Sequence, residues 1–337
     1  MVSVGIIANP ASGKDIRRLV ALGSVFGNQE KINIVRRILV GLDRSNIDHI
    51  YIMPDVFGIA WHAVDGLGHA HKHIAEKVTI LDMRIDNDSN DSAQAAALMR
   101  DCGVSCFVTL GGDGTNRVVA KGAGEVPIVP VSTGTNNVVP SMIEGTIAGL
   151  AAGFVANYPD ALEAVAFRSK RLEVFKNEKW VDIALVDVAV VGGTTSVGTR
   201  AVWDPDNLRQ IIVTRGTPDT TGMSALVGFF HPIGPRDPGG LSITLSPSAL
   251  LQVTAPLAPG VIVTVGVESS MPLAIGDRVS VGHGPCVLAL DGEREVPLGL
   301  QDEGAVALSD AGPWFVDVRD AMRVAVERGT FSRDGTR

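Results

Sequence analysis

The chain has 337 residues, of which 45% are hydrophobic and 20% charged, with a formal net charge of −8. That balance excludes general disorder, and the length suits two domains of ordinary size. The acidity argues against broad nucleic-acid binding and against charge-driven docking on anionic membranes, both of which want a basic face. Cys102, Cys106 and Cys286 make no disulfide framework and fit a reducing compartment. An apolar strand begins at Val2, with no basic stretch of a signal peptide before it, so a cytoplasmic protein is expected. The uncharged stretches 126–143 and 238–267 are broken by Pro140, Pro247, Pro256 and Pro259, and read as short buried strands rather than membrane spans.

In chain order, Val2–Ala8 reads as a strand ending at the Asn9-Pro10 turn signal, followed by helical patterns over Asp15–Phe26 and Glu30–Leu42. Strands are expected over His49–Met53 and Val78–Met83, and a helix over Ser92–Arg100 with Asp91 as its cap. Val104–Leu110 is a strand, Asn116–Lys121 opens a helix, Pro127–Val131 is a strand and Ile143–Val155 a helix. This alternation predicts an α/β domain with a parallel sheet over residues 1–157. The pattern then changes. Leu172–Phe175 and Ile183–Val191 flank a polar turn at Lys176–Lys179, and short Val- and Thr-rich runs follow at Leu241–Leu245, Val261–Val267, Arg278–Val281 and Val287–Leu290. They predict a C-terminal antiparallel β-sandwich over 158–313. Asp317–Glu327 is helical in pattern, and the 314–331 segment is expected to pack back onto the first domain.

The strongest chemical signal is the strand Val104–Leu110 running into Gly111-Gly112-Asp113-Gly114-Thr115 and then a helix. Glycines permit positive φ and leave room for a polyphosphate against backbone N–H groups, and the helix N-terminus adds donors. A carboxylate in such a loop repels phosphate unless it holds Mg²⁺ or takes a proton from an attacking hydroxyl, so Asp113 is the candidate metal ligand and catalytic acid–base group. The plainer reading is a tight βα turn. The loop is not a dinucleotide fingerprint, because Arg117 stands where that motif wants glycine. Asn9-Pro10-Ala11-Ser12-Gly13-Lys14 is not a Walker A loop either, since Asp15 replaces its Ser or Thr. His69, His71 and His73 sit near Gly66 and Gly68 and read as an exposed loop rather than a metal site. Trp203 and Asp204 read as part of a loop near a cleft.

The Gly111–Thr115 loop resembles the GGDGT signature of the NAD kinase and diacylglycerol kinase superfamily. Three other stretches agree in order. Asn9-Pro10-Ala11-Ser12-Gly13 is similar to its first-strand loop, Thr133-Gly134-Thr135-Asn136-Asn137 to its GTxND segment, and Asp291-Gly292-Glu293 to the C-terminal DGE of its lipid-kinase branch. Ala184-Leu185-Val186-Asp187-Val188 looks like the acceptor strand of NAD kinases, and Thr217 through Ala225 loosely resembles their TPTGSTA segment. The whole chain looks most like the AcoX group of ATP-NAD kinase-like proteins, which occur with acetoin catabolism.

The resemblance implies ATP and Mg²⁺ as cofactors, with an active site between the two domains. Asn9, Ser12, Gly13, Gly111, Gly112, Gly114, Thr115, Thr133, Gly134 and Asn136 would hold the nucleotide, and Asp113 and Glu293 are rival catalytic residues. Asp187, Thr221 and Ser224 would meet the acceptor, a small hydroxyl compound such as NAD, in a homo-oligomer that binds neither nucleic acid nor membrane. Lys14, Arg17 or Arg18 would neutralise charge, although a solvated helix face explains the two arginines equally well. Val186 stands where NAD kinases carry Asn, which removes a polar contact to NAD. Asp-Gly is also a favoured hairpin turn, and Asp187 also fits an ordinary strand carboxylate. Two other functions fit the same motifs: a lipid kinase, and a non-catalytic nucleotide sensor that keeps the fold.

Overall fold

The computed structural model describes residues 1–13, 26–134, 137–193, 207–292 and 294–332. The helix expected over Asp15–Phe26 lies outside the described residues except for Phe26, as do Lys14, Asn136, Trp203, Asp204 and Glu293.

Seven strands form the first sheet, in the order Val78–Ile80, His49–Ile52, Ser3–Ala8, Cys106–Gly111, Ile128–Ser132, Trp314–Val316, Ala166–Arg168. Ser3–Ala8 and Cys106–Gly111 are buried along their whole length, as parallel strands covered on both faces must be. Helix Asn28–Arg44 turns Ile32, Val35, Ile38, Leu39 and Leu42 inward at helical spacing. It passes helix Gly145–Asn157 almost backbone to backbone, because a Cβ on Gly41 would lie 2.4 Å from the Thr146 carbonyl oxygen. Asp91 is not a cap. It is the second residue of helix Asn90–Asp101, and its carboxylate accepts from the N–H groups of Asp86 (3.0 Å) and Asn87 (2.8 Å) in the preceding loop.

The chain's last strand returns to this sheet. Trp314–Val316 runs parallel to Ile128–Ser132 and antiparallel to Ala166–Arg168, which comes after the boundary expected at 157/158. Helix Val318–Glu327, capped by the Asp317 carboxylate, buries Val318, Ala321, Val324 and Ala325 in the core beside Ala148 and Ala152.

The rest of the chain forms two antiparallel sheets, one of seven strands and one of four. Leu172, Val174, Val188, Ile212, Leu288 and Leu308, drawn from both sheets, share one apolar core between them. The polar turn opens at Asn177-Glu178, both with positive φ, between strands Arg171–Lys176 and Lys179–Ala184. Ile183–Val191 is not the single strand its apolar run suggests. Lys179–Ala184 belongs to the small sheet and Asp187–Gly192 to the large one, so the chain changes sheet at Leu185 and Val186.

A buried carboxylate holds that change of sheet. Asp291 and Gly292, at φ 49° and 70°, sit in the turn between strands Cys286–Leu290 and Arg294–Leu298, which is the hairpin reading of Asp-Gly. The Asp291 carboxylate accepts from the N–H groups of Leu185 (3.0 Å), Val186 (2.8 Å) and Asp187 (3.3 Å). Leu185 and Val186 lie between the small sheet and the large one, and Asp187 opens the large one, so Asp291 supplies a buried acceptor where the backbone passes between ladders. Leu185 and Val186 meanwhile insert among Ile7, Met53, Phe107 and Phe315 of the first domain's core. Arg117, on helix Asp113–Ala123, completes the joint with its Nε 3.6 Å from Asp291 and its Nη1 3.2 Å from Asp182. Burial pushes the Asp291 carboxyl up, against the pull of Arg117 and the three N–H groups. Burial pushes Asp182 the same way, but the hydrogen bond from Lys121 and the charge of Arg117 hold it below the usual carboxylate range.

Replacing Asp291 with Ala leaves three buried N–H groups and a buried arginine short of an acceptor. Removing one member of a buried pair typically costs about 3–5 kcal/mol. Urea denaturation of Asp291→Ala is expected to show a loss of that size, and a loss below about 1 kcal/mol would remove Asp291 from this role.

Candidate functional site

Three loops follow three adjacent parallel strands at their carboxyl ends: Asn9–Gly13 after Ser3–Ala8, Gly112 after Cys106–Gly111, and Thr133–Gly134 after Ile128–Ser132. The strand order reverses direction between Ser3–Ala8 and Cys106–Gly111, and ligands of open α/β sheets bind at that kind of switch point. Helix Asp113–Ala123 starts immediately after Gly112, so its first N–H groups face the same crevice with the positive end of the helix dipole.

Hydrogen bonds tie the three loops into one surface. Asn9 Nδ2 donates to Thr115 Oγ1 at 2.8 Å, and the Asn9 N–H donates to the Leu110 carbonyl at 3.1 Å. Ser12 Oγ donates to the Asn9 carbonyl (2.8 Å), and Thr133 Oγ1 donates to Ser12 Oγ (2.9 Å). Beneath the first loop lies Lys31, fully buried, whose Nζ donates to the carbonyls of Asn9 (2.8 Å), Pro10 (3.0 Å) and Ser12 (2.7 Å) and to Asn28 Oδ1 (3.1 Å). Lys31 thus sets the loop's shape and puts a positive charge under it.

The glycines serve packing as well as open space. Neither Gly111 nor Gly112 has positive φ, contrary to the expectation from the motif. A Cβ on Gly111 would meet Thr115 Oγ1 at 2.3 Å, and one on Gly112 would meet Asn137 Oδ1 at 2.8 Å. Gly13 does have positive φ (70°), and its Cβ would lie 2.5 Å from the Thr133 carbonyl oxygen. Gly114 is buried in the first turn of the helix. Asn137 Nδ2 donates to Ser132 Oγ at 2.7 Å, which braces the third loop from behind.

Asp113, buried at the helix start, spends part of its carboxylate on the protein. It accepts from the N–H groups of Val138 (3.0 Å) and Val139 (2.8 Å) and so fixes the segment that follows Thr133–Asn137. Arg215 lies within electrostatic range of both Asp113 and Asp291. The acceptor candidates are spread over the second domain. Asp187 opens the strand Asp187–Gly192, and its N–H reaches Asp291. Thr221 precedes helix Met223–Phe230 and is half-buried, whereas Ser224 is buried within that helix and its Oγ has no hydrogen-bond partner. His73, from the histidine cluster, pairs with Asp43 at 2.9 Å. Among the described residues no cluster of three His, Cys, Asp or Glu side chains could hold a metal alone.

Four residues escaped the sequence reading in these roles: Lys31, Arg117, Asp182 and Arg215. Arg117 carried one signal, since it stands one helical turn after Asp113 and faces the same way. Arg215 ends the apolar run Ile211–Val213, where a cation is unusual.

Residues 4–158 match the family model for the ATP-NAD kinase N-terminal domain, and residues 170–311 match that for the acetoin catabolism protein X C-terminal domain. The structure is similar to yeast NADH kinase in complex with NADH, with a TM-score of 0.57 at 16% identity, over 100% of this chain and 89% of that one. These matches define the class: an α/β domain and antiparallel sheets in the NAD kinase arrangement. Acetoin catabolism protein X of Cupriavidus necator is 38% identical over 339 residues, covering 96% of this chain and 92% of its own. The chain belongs to the acetoin catabolism protein X family.

Gly112→Val forces a branched side chain against Asn137 Oδ1 and displaces the third loop from the second. Isothermal calorimetry with Mg-ATP is expected to show at least a tenfold loss of affinity in the folded variant. Unchanged affinity would put the phosphates elsewhere.

Proposed function

We propose that the protein is an ATP-dependent phosphotransferase acting on the hydroxyl of a small molecule. One observation carries this reading: three separate loops are tied into one donor-rich surface at the switch point of a parallel sheet, against a helix N-terminus and over the buried ammonium of Lys31. That arrangement suits a polyphosphate, and the membership of a kinase-type fold supports the choice of ATP.

In-line phosphoryl transfer needs positioning and charge neutralisation more than covalent chemistry. Asn9, Ser12, Gly13, Thr115, Thr133 and Gly134, with Asn136, would bind and orient the phosphates. Asp113 is a carboxylate at the start of the helix, an oxygen ligand of the kind magnesium takes. A magnesium ion would fit Asp113 together with phosphate oxygens, and when bound it would neutralise the developing charge. Asp113 or Glu293 would take the acceptor's proton.

NAD suits the acceptor position poorly. Val186 is buried among apolar side chains of the interdomain core, with its N–H committed to Asp291, so a polar contact from that residue to NAD is not available. Wild-type protein is expected to form NADP weakly or not at all. Val186→Asn would bury an amide with no partner and cost about 1–3 kcal/mol without improving NAD use, measured as kcat/KM beside the urea midpoint. Robust NADP formation by either form would overturn this assignment.

The bonds from Val138 and Val139 to Asp113 favour a second reading, in which the protein binds nucleotide as a sensor without transferring phosphate. Release of ADP from Mg-ATP across small hydroxyl acceptors separates the two. For a kinase, Asp113→Asn is expected to lower turnover at least ~10²-fold while Mg-ATP still binds. Absence of turnover by the wild type with every acceptor, alongside intact ATP binding, would leave the sensor.

A further inference from the structure

A cleft of about 690 Å³ opens between the two parts of the molecule, next to Asp113 through the backbone of Val138 and Val139. Its walls come from several elements and mix apolar side chains with polar groups, among them Ser141, Thr217, Asp317 and Arg319. Val139, Ile147, Phe167, Phe315 and Met322 of helix Val318–Glu327 are among the lining side chains. A volume of this size is typical of small-molecule sites.

The polar group that matters in the cleft is Arg215. It is 3% exposed, yet it has no carboxylate within ion-pair distance among the described residues. One Nη donates to Ser169 Oγ, the guanidinium carbon lies 5.8 Å from the centre of the Phe167 ring, and Nε has no hydrogen-bond partner. Near it lies a second buried cation, Lys170, which among the described residues donates to the carbonyls of Asp237 (2.6 Å) and Gly239 (2.6 Å) and feels the charge of the Asp237 carboxylate. Burial and the neighbouring Arg215 charge push the Lys170 ammonium down to about 8, and burial pushes Arg215 down to about 10 against the pull of Asp113 and Asp291. Buried charges are ordinarily paired, because desolvating a lone cation costs several kcal/mol. Here two are neighbours with no carboxylate directly bonded to either among the described residues, and one of them, Arg215, lines the cleft.

We propose that this cleft binds a small organic anion with an apolar body, its carboxylate or phosphate head on Arg215 and its body between Phe167 and Met322. A contact to the guanidinium would give it a directly bonded anion, in addition to the more distant pull of Asp113 and Asp291. The apolar body would account for Met142 and Ile147, which are 63% and 38% exposed at the mouth and would be covered by a ligand. The site is independent of phosphoryl transfer, and its binding is read without nucleotide, so its failure and the failure of the kinase reading are distinct results.

The test uses the full chain and two probes of equal length, sodium octanoate and octan-1-ol, by isothermal calorimetry without ATP. Octanoate is expected to bind saturably and octanol at least tenfold more weakly, because only the anion meets Arg215. Arg215→Met is expected to abolish that preference for the anion. Should Arg215→Met fail to fold, Arg215→Lys keeps the charge without the fork, and Met142→Glu puts a like charge at the exposed mouth. Each is expected to weaken octanoate at least fivefold while octanol changes less than twofold. The proposal is overturned by no saturable octanoate binding, by equal affinity for octanol, or by unchanged octanoate affinity in these variants.

Discussion

The joint between the two halves depends on a single carboxylate. Asp291 gathers three N–H groups where the chain crosses from one sheet to another, and it faces Arg117 of the helix that also carries Asp113. A strand that leaves one sheet before joining another strands its backbone donors, and a buried carboxylate is the compact way to satisfy several at once. The same residue therefore orders the sandwich, seats Leu185 and Val186 in the first domain's core, and fixes the helix from which the phosphate surface is built. Arg117 is the only cation within ion-pair distance of Asp291 among the described residues, so the helix and the hairpin turn must find each other for either charge to be buried at tolerable cost.

Asp113 repeats the device one helical turn away. Its carboxylate holds the N–H groups of Val138 and Val139 as Asp291 holds those of Leu185 to Asp187. The phosphate surface is thus stiffened by groups that face inward: Asp113 from the helix, Lys31 from below the first loop, and Asn137 behind the third. A site assembled from three loops gains its precision from such supports, since loops alone do not hold donors in place.

Much of this was legible in the sequence wherever the signal was local. Helix Asn28–Arg44 followed from apolar spacing, and the strand–turn–helix around Asp113 from glycines and a carboxylate at fixed positions. The turn at Asn177 and Glu178 followed from a polar break between apolar runs. What could not be read depended on partners far along the chain. Asp291 and Leu185 are 106 residues apart, so an Asp-Gly pair announces a turn without announcing what its side chain will accept. The change of sheet at Leu185 and Val186 hides inside a continuous apolar run, because hydrophobicity records burial and not which sheet does the burying. Arg215 and Lys170 were invisible as a pair for the same reason: one lies in the sandwich after Val213, the other at the edge of the first sheet.

The return of Trp314–Val316 bears on the order of synthesis. This strand is an interior member of the first sheet, flanked by Ile128–Ser132 on one side and Ala166–Arg168 on the other. Most of that sheet leaves the ribosome before the sandwich, yet the gap between those two neighbours stays open until the sandwich strands have been made. During translation the early strands expose an unpaired edge at Ile128–Ser132, beside the apolar surface that Phe315 will cover. The first domain is finished only by a strand that follows the sandwich, and a nascent chain stalled after the sandwich holds both halves with neither sealed against the other.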